Sequence, residues 1–128
     1  MTELMQRRRA LMMVTKDTLP IQEIGVNLLE EKAKGYKVDV NTGELIQSSS
    51  VIYSVAYIPI NPNYQYKMVK YGNRPANLVW YDKNYGYISG RSYSNTTPWA
   101  VTTPPSNARY ARMSCNDGNG SFEFFRYA

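Results

Sequence analysis

The sequence predicts a mainly β fold, an antiparallel β-sandwich preceded by a short N-terminal α-helix. Three observations predict the sandwich. Turn-forming clusters recur at short intervals after Gly35, and the runs between them alternate apolar with polar residues. All 12 tyrosines fall after Gly35, among Val, Ser, Thr, Asn and Pro, which is the composition of short strands joined by tight turns. At 128 residues, 43% of them apolar, the chain has room for one domain whose core needs no disulfide or metal.

The helix is read at residues 2–16, which contain no Gly or Pro. Thr2 is placed to cap it, and Glu3 puts a negative charge in its first turn. Leu4 and Leu11 stand seven apart, as do Met5 and Met12, so the four share one stripe that also contains Arg8. A charge in the stripe suits a helix docking on an acidic groove of another chain, while a helix packed on its own domain is the alternative. Barely four turns long, it needs a surface to lean on. Leu19-Pro20 ends this region, Ile21 to Leu29 is an apolar connector, and Glu30-Glu31-Lys32-Ala33-Lys34 is a charged stretch. Residues 1–34 are therefore the expected docking segment and 35–128 the sandwich.

Within the sandwich, Tyr64, Tyr66 and Met68 take one face of a strand and Gln65 and Lys67 the other. Ala111, Met113 and Cys115 alternate in the same way with Tyr110, Arg112 and Ser114. Asn77 to Tyr81 reads as a strand buried on both faces. Turns are expected at Asn41-Thr42-Gly43, Asn61-Pro62-Asn63, Asp82 to Gly86, Thr103 to Ser106 and Asn116 to Gly120.

Composition removes several chemistries. Without histidine there is no Ser-His or Cys-His nucleophile pair and no imidazole zinc ligand. The single Cys115 excludes an internal disulfide, and neither a secretory leader nor an apolar run long enough to cross a membrane is evident. The net charge is +5, and from Leu45 onward eight basic residues face three acidic ones. These bases are scattered singly, which argues against dedicated nucleic-acid binding. Arg7, Arg8 and Arg9 are too few to change that and fit an ion-paired docking segment. Asp82-Lys83-Asn84-Tyr85-Gly86 superficially resembles a calcium loop, but position twelve is Tyr93, so a hairpin turn is preferred. The glycosylation patterns at Asn95 and Asn119 read as chance matches. Three acids after Leu45 make a glycosidase pair improbable, and neither a cofactor nor a metal is expected.

The order of motifs resembles a jelly-roll module of bacteriophage fibres and minor virion proteins. It is carried by Gly35-Tyr36-Lys37-Val38, Asn41 to Leu45, Ser54 to Tyr66, Leu78 to Gly90, Thr103 to Ala108 and Arg109 to Ser114. The likeness covers about residues 35–128, with Asn63 where the module usually has glycine. It implies a galactose-binding-like or carbohydrate-binding-module-like jelly roll in a virion structural protein, a head fibre, decoration or tail-associated part assembled in the host cytoplasm. Its partners would be other virion proteins, and a homotrimer is the favoured symmetry. The leading segment, with Leu4, Met5, Arg7, Arg8, Arg9, Leu11 and Met12, is similar to short anchors that tie such proteins to a capsid or tail. No sugar-contact residue is inherited. The aromatic set Tyr81, Tyr85, Tyr87, Tyr93 and Trp99 is the candidate for glycan contact, since pyranose faces pack on flat aromatic surfaces; interface and core roles compete for the same residues. The competing function is a stand-alone carbohydrate-binding module, and an enzyme comes third.

Overall fold

In a computed structural model that describes residues 18–48, 52–71, 74–116 and 122–128, every regular element is a β-strand. The expected fold class is corrected on this point: the described chain is all-β, and the helix expected over residues 2–16 lies outside the described residues. Residues 18–31 contain no helix. Gly25 N–H donates to Arg126 O at 2.9 Å and Leu28 N–H to Phe124 O at 2.8 Å, pairing this stretch with the C-terminal strand. Pro20 and a positive-φ Gly25 (+82°) both oppose helix here.

The strands among the described residues are β1 (Lys32–Lys34), β2 (Tyr36–Val38), β3 (Leu45–Gln47), β4 (Tyr53–Val55), β5 (Ile58–Pro59), β6 (Tyr66–Lys70), β7 (Ala76–Tyr81), β8 (Tyr87–Tyr93), β9 (Trp99–Thr102), β10 (Tyr110–Cys115) and β11 (Phe122–Arg126). One sheet runs β1-β4-β10-β7-β8, with β5 continuing the line of β4 against β10. A second runs β11-β6-β9, and β2 and β3 form a separate hairpin. All these strand pairs are antiparallel.

The two larger sheets close on one apolar core. Ala76, Leu78 and Trp80 of β7 and Ala111, Met113 and Cys115 of β10 meet Tyr66 and Met68 of β6 and Phe122 and Phe124 of β11. Tyr66 stacks on Phe124 with ring centroids 5.2 Å apart. Alternation in β6 and β10 thus sets the core face as the sequence requires. Leu29, from the connector, is buried in the same core. The inward row of β6 ends on Lys70, whose ammonium donates to Arg74 O at 2.6 Å and Ser94 O at 2.5 Å. Burial holds its pKa below the usual lysine value.

The hairpin β2–β3 forms a third layer, on the outer face of the larger sheet. Val38 packs against Val79 and Tyr81 in a smaller core. This is why Leu78 to Tyr81 is buried without a break: both faces of β7 are covered. Val38 N–H donates to Ser114 Oγ at 3.0 Å, Asn77 Nδ2 to Val38 O at 2.9 Å, and Tyr87 Oη to Val40 O at 2.6 Å. At the tip, Asp39 Oδ1 accepts from Asn41 N at 2.7 Å. Gly43 turns the chain at φ +75°, where a Cβ would stand 2.9 Å from the Tyr81 ring. Gly90 is needed for a different reason, because its Cβ would fall within 2.8 Å of Val40 Cα, inside the contact between the two layers.

Candidate functional site

Two irregularities in the larger sheet build its most distinctive surface. Between β4 and β5, Val55, Ala56 and Tyr57 stand opposite two residues of β10, Arg112 and Met113. The extra residue is a bulge that keeps both Val55 and Ile58 in the core and sends Tyr57 to the outer face. The second register shift lies between Trp80 and Tyr81, where β7 meets β8. The second lies at the end of the sheet where the 82–86 turn joins β7 to β8, and the first lies opposite Arg112 and Met113, which pair with Val79 and Leu78 in mid-β7.

That turn is closed by Asp82. Its Oδ1 accepts from Asn84 N and Gly86 N, both at 2.8 Å, and its backbone N–H donates to Gly86 O at 2.8 Å. Its carboxylate therefore closes the turn expected over Asp82 to Gly86. Tyr85 takes φ +63° and projects from the turn toward Tyr110 and Tyr57.

The outcome is an aromatic notch. Tyr85 and Tyr110 stack with centroids 4.6 Å apart and planes 24° from parallel. Tyr57 closes on Tyr85 at 4.6 Å and meets Tyr81 edge-on at 4.9 Å. Beneath Tyr57 lies the Arg112 guanidinium, 3.9 Å from the ring centroid. The interaction with the Tyr85 hydroxyl, and then burial, hold the Tyr110 pKa above the usual tyrosine value. Tyr85 is 51% exposed, whereas Tyr81 lies in the floor of the cluster. Burial pushes the Tyr81 phenol up to about 12, and its hydroxyl donates to Gly43 O at 2.5 Å.

Beside the turn is a polar pocket of about 350 Å³ lined by Asp82, Lys83, Asn84, Asn107 and Arg109. Arg109 is held in place by its Nη1, which donates to Ala108 O at 2.8 Å and Ser106 O at 3.2 Å. A larger cleft of about 570 Å³ runs between residues 20–31 and the β4–β5 line, with Val26, Leu28, Glu30, Glu31, Tyr57 and Ile58 among its walls.

The candidate glycan residues do not come together as one set. Tyr85 belongs to the notch. Tyr87 is exposed, but its hydroxyl is spent on the β2–β3 hairpin. Tyr81 and Tyr93 are buried, Tyr93 in the main core. Trp99 is 54% exposed on the other sheet, with the Lys67 ammonium 4.6 Å from its ring centroid. Leu4, Met5, Arg7, Arg8, Arg9, Leu11 and Met12 lie outside the described residues. Tyr57 and Tyr110, which complete the notch, were not candidates. The alternation of β10 does put Tyr110 and Arg112 on the outer face, a signal that could have found them; Tyr57 is hidden by its bulge.

Over 67 residues, 49% of its length, the chain is 36% identical to a tail fiber protein of Enterococcus phage phiEF24C. The match spans 4% of that much longer protein. No family model matches the chain, and no solved structure matches it.

Proposed function

We propose that the chain is a structural module of a bacteriophage tail, a sandwich head that displays the Tyr57–Tyr85–Tyr110 notch to surface saccharides. The similarity to a phage tail fiber protein carries the virion assignment. The notch supports the adhesive role: a stacked tyrosine pair with one half-exposed ring suits the C–H face of a pyranose, and phenol hydroxyls suit its polar edge. The role is non-catalytic, and the tail partners would be other virion proteins, with trimeric association favoured as in fibres.

Attachment to the virion is assigned to the N-terminal segment, with Leu4, Met5, Arg7, Arg8, Arg9, Leu11 and Met12 as the contact residues. Immunogold labelling of purified particles with an antibody against this chain tests the assignment. Label on the tail is expected, and its loss when residues 2–16 are deleted. Unlabelled particles that accompany saccharide binding by the free protein would favour a stand-alone carbohydrate-binding module instead.

A further inference from the structure

We infer that copies of this chain join edge to edge, the open side of β9 on one copy meeting the open side of β3 on the next. The inference rests on the trimeric association proposed above, to which it adds the surfaces, and it does not depend on the saccharide role. An outer strand leaves a row of backbone N–H and C=O groups unpaired, and folded chains ordinarily guard such a row with charge or cover it. Three edges of this molecule are treated in that way. β1 carries the exposed Lys34, β8 carries the exposed Arg91, and β11 is covered by the stretch that donates from Gly25 and Leu28. β9 (Trp99–Thr102) and β3 (Leu45–Gln47) contain neither charge nor proline, and among the described residues no strand pairs with their outer sides.

The direction of the ladder bonds defines what each edge offers. Lys70 N–H donates to Pro98 O at 2.9 Å, so the bonds of the antiparallel β6–β9 pair fall at Pro98, Ala100 and Thr102. The N–H and C=O of Trp99 and Val101 therefore point to the open side. In the hairpin, Asp39 N–H donates to Glu44 O and Ser48 N–H to Gly35 O, both at 2.8 Å, which turns the N–H and C=O of Leu45 and Gln47 outward. Each edge thus presents two residues, at the same spacing, to a strand laid beside it. Side chains agree with the backbone: Trp99 and Val101 are exposed on one edge, Leu45 and Ile46 on the other. So do the charges. The Lys67 ammonium stands over Trp99 beside one edge, and Glu44 immediately precedes the other, so β9 against β3 brings opposite charges to one junction. β9 against a second β9 would bring two lysines there instead. Because the joined surfaces differ, each copy keeps one edge open for the next, the head-to-tail arrangement that a closed three-fold ring requires.

Sedimentation velocity of the full chain, of Val101→Pro, of Gln47→Pro and of the two variants mixed tests this. Both positions have their N–H on the open side, where proline removes a donor to the neighbouring copy and none from the fold. The parent is expected to sediment as a trimer and each variant as a monomer. An equimolar mixture is expected to give a two-chain species and nothing larger, since one variant keeps β3 and the other keeps β9; that species would also show that both are folded. A thermal melt accompanies each variant, and Val101→Lys with Leu45→Lys repeats the comparison with the backbone donors intact. A trimer that survives in either folded proline variant would overturn the inference while leaving the trimeric reading standing. Loss of association through Val101→Pro alone would replace β3 with a second β9 as the partner strand and overturn it equally. A monomeric parent would remove both.

Discussion

Tyrosine hydroxyls connect separate layers of this molecule. Tyr66 is fully buried, its hydroxyl donating to Gln22 Oε1 at 2.6 Å and accepting from Asn61 N at 2.7 Å. It thereby fastens the N-terminal stretch and the 61–63 turn to the main core. Tyr66→Phe removes an acceptor from a buried N–H and is expected to cost about 1–3 kcal/mol, measured by denaturant unfolding. Burial pushes the Tyr66 and Tyr81 phenols up to about 12. A phenol whose pKa is higher folded than unfolded stabilises the fold fully below the unfolded value of about 10. That contribution is lost as pH rises from about 10 toward about 12. Phenolate absorbance is therefore expected to develop in two stages, the last tyrosines ionising together with unfolding; complete titration of a still-folded chain near pH 10 would contradict their burial.

The β2–β3 hairpin and the two bulges decide which aromatic residues are available. Hairpin placement depends on Gly90, where the backbone of Val40 approaches too closely for a side chain. Gly90→Ala is expected to destabilise by about 1–3 kcal/mol, as overpacking does, and to raise hydrogen exchange first in β2 and β3. Uniform loss of protection across the molecule would show instead that the hairpin does not open independently. The same hairpin explains what the sequence left hidden. Strict alternation identified the inward rows of β6 and β10, whose apolar residues at every second position meet in the main core. It could not tell that the outer face of β7 is also covered, which buries Tyr81 under Val38. Nor could period-two reasoning place Tyr57, since the bulge shifts its side chain by one position. Trp99 parts from the other aromatics because β9 pairs with β6 in the smaller sheet, a non-local pairing that local pattern does not encode.

At the scale of the molecule, the sandwich and its turns were legible because the turn residues and the alternation agree. The 82–86 turn was legible from Asp, Asn and Gly alone, and the structure shows the Asp82 carboxylate closing it. The notch was half legible, through Tyr85, because its other two rings arrive from strands distant in sequence. The proposed role makes this notch the saccharide-contacting surface of a phage tail module. The most direct test titrates a panel of neutral and acidic oligosaccharides into the full chain and, with those that bind, its Tyr85→Ala variant; binding of none would contradict the saccharide role. Tyr85 is half-exposed, so the variant is expected to melt close to the parent. Loss of binding by roughly tenfold or more with the melt unchanged is the predicted result, since an aromatic anchor carries a large share of such contacts. Undiminished binding by a folded Tyr85→Ala protein would contradict the claim.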